Sequence, residues 1–127
     1  MKAILIDPDA RTVSEVEYDG DFKSIYSLID CEVFTCLNIN QYGDALYVDD
    51  EALINGTHKT PFIWKGHDGL ILGKGLILGT DDEGASISPT ITVDEVKEQL
   101  HLLKLVSEEL GVRQYAVAEP EDVVNVH

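Results

Sequence analysis

The start of the chain has two stretches with the apolar pattern of β-strands. Residues 2–7 contain a short apolar run, and in residues 12–18 Val16 and Tyr18 share one face while Glu15 and Glu17 share the other. Pro8 and Asp9 lie between the two stretches, where proline presets φ and aspartate can bond its own backbone. The pattern therefore predicts an N-terminal β-hairpin.

Helical spacing follows in two places. Asp21 is a candidate N-cap for a short amphipathic helix whose apolar positions are Phe22, Ile25, Leu28 and Ile29. Further on, Thr92 and Glu95 have the spacing of a capping box. After this box comes an apolar stripe, with Gly111 as its expected stop, at Val96, Leu100, Leu103, Val106 and Leu110. The stripe predicts a longer C-terminal helix that is either buried or shared with another subunit.

Short apolar stretches between the two predicted helices indicate further strands, at residues 32–39, 45–48, 70–72 and 75–78. Both faces of residues 32–39 are fairly apolar, which predicts a central strand. The expected fold class is α+β, with a mostly antiparallel sheet, a short helix in the N-terminal half and a longer C-terminal helix. All 127 residues are expected to form a single domain, with residues 112–127 as a flexible or accessory tail.

Charge narrows the function classes. The chain has 24 acidic against 9 basic residues, a formal net charge of −15. This field repels nucleic acid and anionic membranes and favours a partner protein with a basic surface. The opening residues lack the pattern of a secretory signal, and the apolar runs are too short to span a bilayer, so a cytoplasmic location is expected.

Four acidic residues form a candidate partner-binding row. Glu15, Glu17, Asp19 and Asp21 recur at two-residue intervals, about 6.6–6.8 Å apart in an extended strand. Phosphates along one DNA strand step by about 3.4 Å, so the row would match every second phosphate. A protein that mimics DNA needs such an array, although acidic residues also serve solubility on many exposed strands.

A second candidate site surrounds the only tryptophan of the chain. Phe62, Trp64, His67 and Asp68 lie in a turn-rich stretch, where aromatic side chains can anchor a ligand. This stretch suggests a small-ligand domain for a nucleotide or a metal as the alternative function. A core plug beneath a loop is the other interpretation of the same aromatic residues.

Signatures of catalysis or of a cofactor are absent from the sequence. The histidines His58 and His67 do not have the short spacing of a zinc site, and no serine or cysteine lies in a nucleophile motif. We therefore expect neither an enzyme, nor a cofactor, nor a metal site.

Three stretches resemble a family of short proteins of unknown function that are encoded largely by bacteriophages and other mobile elements. They are the strand pair Ala3–Asp21 with its following helix, the segment Ala45–Glu51, and the glycine-bounded segment Gly75–Gly84. The resemblance covers residues 1 to roughly 100 and departs at residues 55–69. It implies a small α+β accessory protein and provides no active-site residues.

The resulting expectation is a non-enzymatic protein-binding module, of which a DNA-mimicking inhibitor of a host defence or nucleic-acid enzyme is the specific hypothesis. The C-terminal helix would be the surface for any homo-oligomer.

Overall fold

Two β-sheets and two short helices form the described part of the chain. The computed structural model describes residues 1–52, 60–117 and 124–126. The strands are β1 (Lys2–Asp7), β2 (Thr12–Glu17), β3 (Phe34–Asn38), β4 (Ala45–Asp49), β5 (Pro61–Trp64), β6 (Ile71–Leu72), β7 (Gly75–Thr80), β8 (Ser86–Ile87), β9 (Leu100–Glu109), β10 (Val112–Val117) and β11 (Val124–Val126). The helices are α1 (Lys23–Leu28) and α2 (Val93–Gln99).

The strands divide into a larger and a smaller sheet. The larger sheet has the order β11-β2-β1-β7-β4-β3, with β8 paired to the end of β7. The smaller sheet has the order β10-β9-β5-β6. All pairings are antiparallel except that of β11 with β2, which is parallel.

The N-terminal hairpin and the first helix are confirmed. β1 pairs with β2 from Lys2 opposite Glu17 to Asp7 opposite Thr12. Helix α1 lies within the predicted stretch, and its buried residue is Ile25. The predicted cap is only partly correct, because Asp21 accepts a hydrogen bond from the backbone N–H of Lys23 while Phe22 is the boundary residue.

Two apolar clusters lie on opposite faces of the larger sheet. One cluster joins this sheet to the smaller sheet and to α2. Its buried members include Ile6, Leu46, Phe62, Val96 and Leu102. The other cluster packs α1 against the opposite face of the larger sheet. The larger sheet is therefore the middle layer of three.

The expected α+β class with a longer C-terminal helix is wrong, because the described residues are rich in strands and form only short helices. The capping box of Thr92 and Glu95 is present, but α2 has 7 residues and ends at Gln99. Leu100 already has extended backbone angles, φ −120° and ψ 153°. From there β9 pairs with β5, placing Leu102 opposite Phe62, so sheet pairing overrides the helical spacing.

Gly111 is a hairpin residue and does not end a helix. Leu110 and Gly111 form the two-residue connection between β9 and β10, with φ +52° and +79°. Positive φ at both central positions is the requirement of a type I′ turn, which matches the right-handed twist of the flanking strands. The apolar stripe is dispersed as a result, since Leu103 is buried while Leu110 is fully exposed.

One other predicted strand has a different position from that expected, and the predicted tail contributes two strands. The strand predicted at residues 32–39 exists as β3, but it lies at an edge of the larger sheet and is not central. Of the predicted tail, residues 112–117 form β10 and residues 124–126 form β11. Neither described helix has the length and apolar character needed to cross a membrane.

Candidate binding groove

A groove lies where the β3–β4 turn, strand β5 and helix α2 meet. It consists of a larger cleft of about 280 Å³ and an adjoining cleft of about 170 Å³. Ile39 and Trp64 line both clefts, so the two volumes share one apolar wall. The groove is therefore a continuous depression with the only tryptophan at its centre.

Trp64 is positioned by pairing on both sides of β5. Phe62 pairs with Ile71 of β6 and with Leu102 of β9, while Trp64 pairs with Leu100. Phe62 and Trp64 are two residues apart and point to the same face, toward the core. Phe62 is fully buried there, whereas Trp64 retains 5% exposure at the groove. The tryptophan is thus both a core residue and a groove wall.

The loop after β5 is fixed by two backbone hydrogen bonds. The N–H of Lys65 donates to the carbonyl of Gln99 at 2.7 Å, which ties the loop to the end of α2. The N–H of His67 donates to the carbonyl of Trp64 at 3.0 Å. Gly66 has φ +91°, a conformation that glycine adopts without steric cost. These contacts hold Lys65 and His67 at the smaller cleft.

The opposite wall depends on the buried side chain of Asp44. Its Oδ1 accepts the N–H of Thr90 and its Oδ2 accepts the N–H of Ile91, both at 2.8 Å. Oδ2 also accepts the side-chain amide of Asn40 at 2.9 Å. Asp44 thereby ties the β3–β4 turn to the segment that leads into α2. Asn40, Thr90 and Ile91 all line the larger cleft.

The two clefts carry different charges. Glu95 and Glu98 of α2 line the larger cleft, whereas Lys65 and His67 line the smaller one. Glu95 is partly engaged, since its Oε1 accepts the N–H and the hydroxyl of Thr92 in the capping box. Glu98 is exposed at the cleft. The larger cleft therefore presents carboxylate beside an indole.

The residues predicted as a ligand site are only partly brought together at the groove. Trp64 lines both clefts and His67 lines the smaller one. Phe62 lies beneath the groove in the core. Asp68 is exposed in the loop beyond His67. Phe62 thus fits the core-plug interpretation alone, whereas Trp64 is both a core residue and a wall of the groove.

The predicted acidic row is extended only in its first half. Glu15 and Glu17 lie in β2, where Glu15 Oε1 is 3.8 Å from Lys2 Nζ. Glu17 Oε1 accepts a hydrogen bond of 2.7 Å from the N-terminal ammonium of Met1. Both carboxylates therefore have a cation close by.

Asp19 and Asp21 lie beyond the end of β2 and hold the turn into α1. Asp19 accepts hydrogen bonds from the hydroxyl of Ser24 at 2.6 Å and from the N–H of Asp21 at 2.9 Å. The Ser24 hydroxyl and, next, the Asp21 N–H lower the pKa of Asp19 below its ordinary value, because they stabilise the ionised form. These two aspartates serve the local backbone.

Metal ligands do not converge in the described part of the chain. No group of three His, Cys, Asp or Glu side chains in residues 1–52, 60–117 and 124–126 has the arrangement that a metal ion needs. Residues 55–59 lie outside the described residues. They include His58 and belong to the stretch 55–69, where the sequence resemblance departs.

Sequence reasoning missed Asp44, Asn40 and Glu98 as groove residues. Asp44 lies outside the elements and sites that the sequence predicts, and its sole signal is that it directly precedes the buried strand β4. Asn40 and Glu98 have no distinguishing sequence pattern. Their roles depend on tertiary contacts between segments about fifty residues apart, which local patterns do not encode.

The fold and the groove together define a small, β-rich domain with a tryptophan-walled cleft between its two sheets. A family model described as a domain of unknown function (DUF3846) matches residues 1–101, and the chain belongs to this family. The match covers about the same part of the chain as the sequence resemblance and ends within β9, but it also spans residues 55–69, where the resemblance was expected to depart. Neither a curated protein nor a solved structure gives a significant match.

Proposed function

We propose that this chain is a non-enzymatic, cytoplasmic protein-binding module whose groove receives a basic side chain of a partner protein. The observation that carries the proposal is the pair of adjoining clefts that share Trp64, with Glu95 and Glu98 along the larger cleft. An aromatic wall beside carboxylates suits an ammonium or guanidinium group, through charge-assisted hydrogen bonds and cation–π attraction.

Charge favours a basic side chain over a nucleotide as the occupant of the groove. A nucleotide would bring phosphates into the field of a chain with a net charge of −15. This repulsion weighs against the nucleotide form of the small-ligand alternative.

The overall charge supports the same class of partner. A strongly acidic protein attracts a basic surface over a Debye length and orients the encounter before close contact. The family resemblance adds a phage or mobile-element origin to the proposal, which would make a host defence or nucleic-acid enzyme the natural partner.

The acidic row is the second candidate for contact with that partner. The observation in its favour is exposure, since the side chain of Glu17 is 82% exposed. Against it, Met1 and Lys2 lie close to the two strand carboxylates and partly offset their charge. We place the groove first because its Glu98 is exposed at the larger cleft, which Trp64 also lines.

Fluorescence of Trp64 tests the groove directly, because it is the only tryptophan. The probes are a capped pentapeptide with two arginines and its counterpart with two glutamines. We expect the arginine peptide alone to change the emission. Glu98→Gln should raise its Kd about three- to tenfold, the effect of losing one charge-assisted contact. The matched control Glu83→Gln removes an exposed acid of the 80–85 turn and should leave the Kd unchanged.

Two results would overturn the groove proposal. One is an equal response to both peptides, and the other is an equal loss of affinity in both glutamine variants. If Glu15→Gln/Glu17→Gln weakens binding while Glu98→Gln does not, the acidic row is the contact surface and the groove is not.

A further inference from the structure

The β9–β10 hairpin extends beyond the body of the smaller sheet as a two-stranded ribbon. Strand β5 pairs with β9 only at residues 100–102. Residues 103–109 of β9 pair, within the described chain, with β10 alone. We define residues 103–117 as the ribbon. An isolated two-stranded ribbon is marginally stable in water, so this geometry favours a covering partner.

The ribbon exposes the densest group of large apolar side chains on the described surface. These residues are Leu105 (48%), Val106 (55%), Leu110 (104%), Val112 (61%) and Val117 (52%). Strand β10 is also the last strand of its sheet in the described chain, so one row of its backbone groups faces outward. An edge strand with apolar side chains is a template for pairing with another strand.

Charge favours a second copy of the chain as the occupant of this edge. The ribbon carries Lys104 and Arg113 against Glu108 and Glu109, so it has no net charge, and the whole charge of −15 lies elsewhere. Two copies repel each other over most of their surfaces but can meet at this neutral segment. A basic partner protein, in contrast, would meet no excess of acidic residues on the ribbon itself.

The sequence of β10 is compatible with pairing to itself. In an antiparallel pair related by a two-fold axis, opposed residues point to the same face, so the register centres on Gln114 or on Tyr115. Arg113 is the only charged residue of β10. In the register centred on Gln114, Arg113 would lie opposite Tyr115 of the other copy. In the register centred on Tyr115, it would lie opposite Val117 of the other copy. Like charges are not opposed in either register.

We propose that the protein forms a homodimer in which the β10 strands of two copies pair antiparallel, joining the two smaller sheets into one. This surface is separate from the groove and lies beyond the family match at residues 1–101. The dimer does not rest on the proposed basic partner. Its dependence on salt is opposite to that of basic-peptide binding. Screening should strengthen association between acidic copies and weaken binding of a basic peptide.

Sedimentation equilibrium between about 1 µM and 1 mM protein, the range of moderate to weak association, tests the proposal. We expect a monomer–dimer equilibrium whose Kd falls when salt rises from about 0.1 M to about 1 M. The variant Val112→Glu/Val117→Glu adds two charges per copy at the edge and should raise the Kd at least about tenfold. The control Val33→Glu/Ile87→Glu adds the same charge at other exposed apolar residues, 41% and 43% exposed, and should dimerise like the parent.

Hydrogen exchange on the unaltered chain provides a measurement that does not depend on a variant folding. Outward-facing amides of β10 should exchange more slowly at high protein concentration, whereas those of β3, an edge of the larger sheet, should not change. A monomer mass over the whole concentration range would overturn the proposal. So would equal weakening by both glutamate pairs, or concentration-independent exchange in β10.

Discussion

The carboxylate of Asp44 accepts the backbone N–H of Ile91 at 2.8 Å and so joins the β3–β4 turn to the segment before α2. The residue is fully buried and also accepts Thr90 N–H and the amide of Asn40. This one side chain therefore sets the separation of two walls of the larger cleft.

Removing this carboxylate should destabilise the fold substantially. Asp44→Ala leaves three donors without their acceptor in a buried setting, and we expect a loss of about 2–4 kcal/mol in the free energy of unfolding. Urea denaturation measures the loss. The control Asp82→Ala removes an exposed acid and should change stability by less than about 0.5 kcal/mol. Equal effects of the two substitutions would show that Asp44 does not hold the turn.

The tip of the ribbon offers a stabilising substitution. Leu110 has φ +52°, a left-handed conformation that costs an L-residue with a bulky side chain about 1–2 kcal/mol. Leu110→Asn should raise the free energy of unfolding by about 1 kcal/mol, because asparagine is favoured at the first position of a type I′ turn. Leu105→Asn, at an extended position of β9, should give no such gain. Thermal melts at low protein concentration compare the two variants, and an unchanged or lower Tm for Leu110→Asn would contradict the turn assignment.

Gly75 and Gly79, in the segment Gly75–Gly84 that resembles the family, should differ in their tolerance of alanine. A Cβ at Gly79 would lie 2.6 Å from the carbonyl oxygen of Ser88, which is backbone and cannot move aside easily. A Cβ at Gly75 would lie 2.8 Å from Cδ1 of Leu46, the end of a flexible side chain. We expect Gly79→Ala to cost about 2–3 kcal/mol and Gly75→Ala about 1 kcal/mol. Chemical denaturation measures both costs, and the reverse order would contradict the close packing of β7 against residues 87–88.

Asp19 should contribute a pH-dependent part of stability. Its hydrogen bonds from Ser24 and Asp21 lower its pKa in the folded state. A lowered folded-state pKa gives stability that is present above the unfolded value, about 3.9, and is lost as the pH falls through the lower folded value. Asp19→Asn should therefore be less stable than the parent at pH 7, and the difference should shrink in acid. A difference that is constant from neutral pH to about pH 2 would contradict this account.

The sequence predicted the elements that depend on neighbouring residues. It did not predict those that depend on contacts between distant segments. The N-terminal hairpin, α1 and the capping box of α2 depend on neighbours in the chain, and all three are present. Residues 100–109 have helical apolar spacing, and they alternate apolar with polar only over 100–102 and again over 103–105. Their outcome depends on pairing with Phe62 and its neighbours, about forty residues away.

The groove was predictable only around its tryptophan. Trp64 and His67 stand out as residue types in a turn-rich stretch, so the sequence indicated one wall. The other wall arises because Asp44 bonds to Thr90 and Ile91, a contact with no local signature. The acidic row shows the opposite relation between sequence and structure. Its two-residue spacing is clear in the sequence, but Asp19 and Asp21 accept backbone hydrogen bonds in the turn into α1.

The most direct test of the account maps an arginine peptide onto the protein by two-dimensional ¹⁵N–¹H NMR. The indole N–H of Trp64 and the side-chain amides of Asn40 and Gln99 report on the groove, since all three residues line the larger cleft. If the groove receives a basic side chain, these signals and the backbone amide signals of α2 should shift with the arginine peptide and not with its glutamine counterpart. Shifts confined to β2 around Glu15 and Glu17, or the same shifts with both peptides, would contradict it.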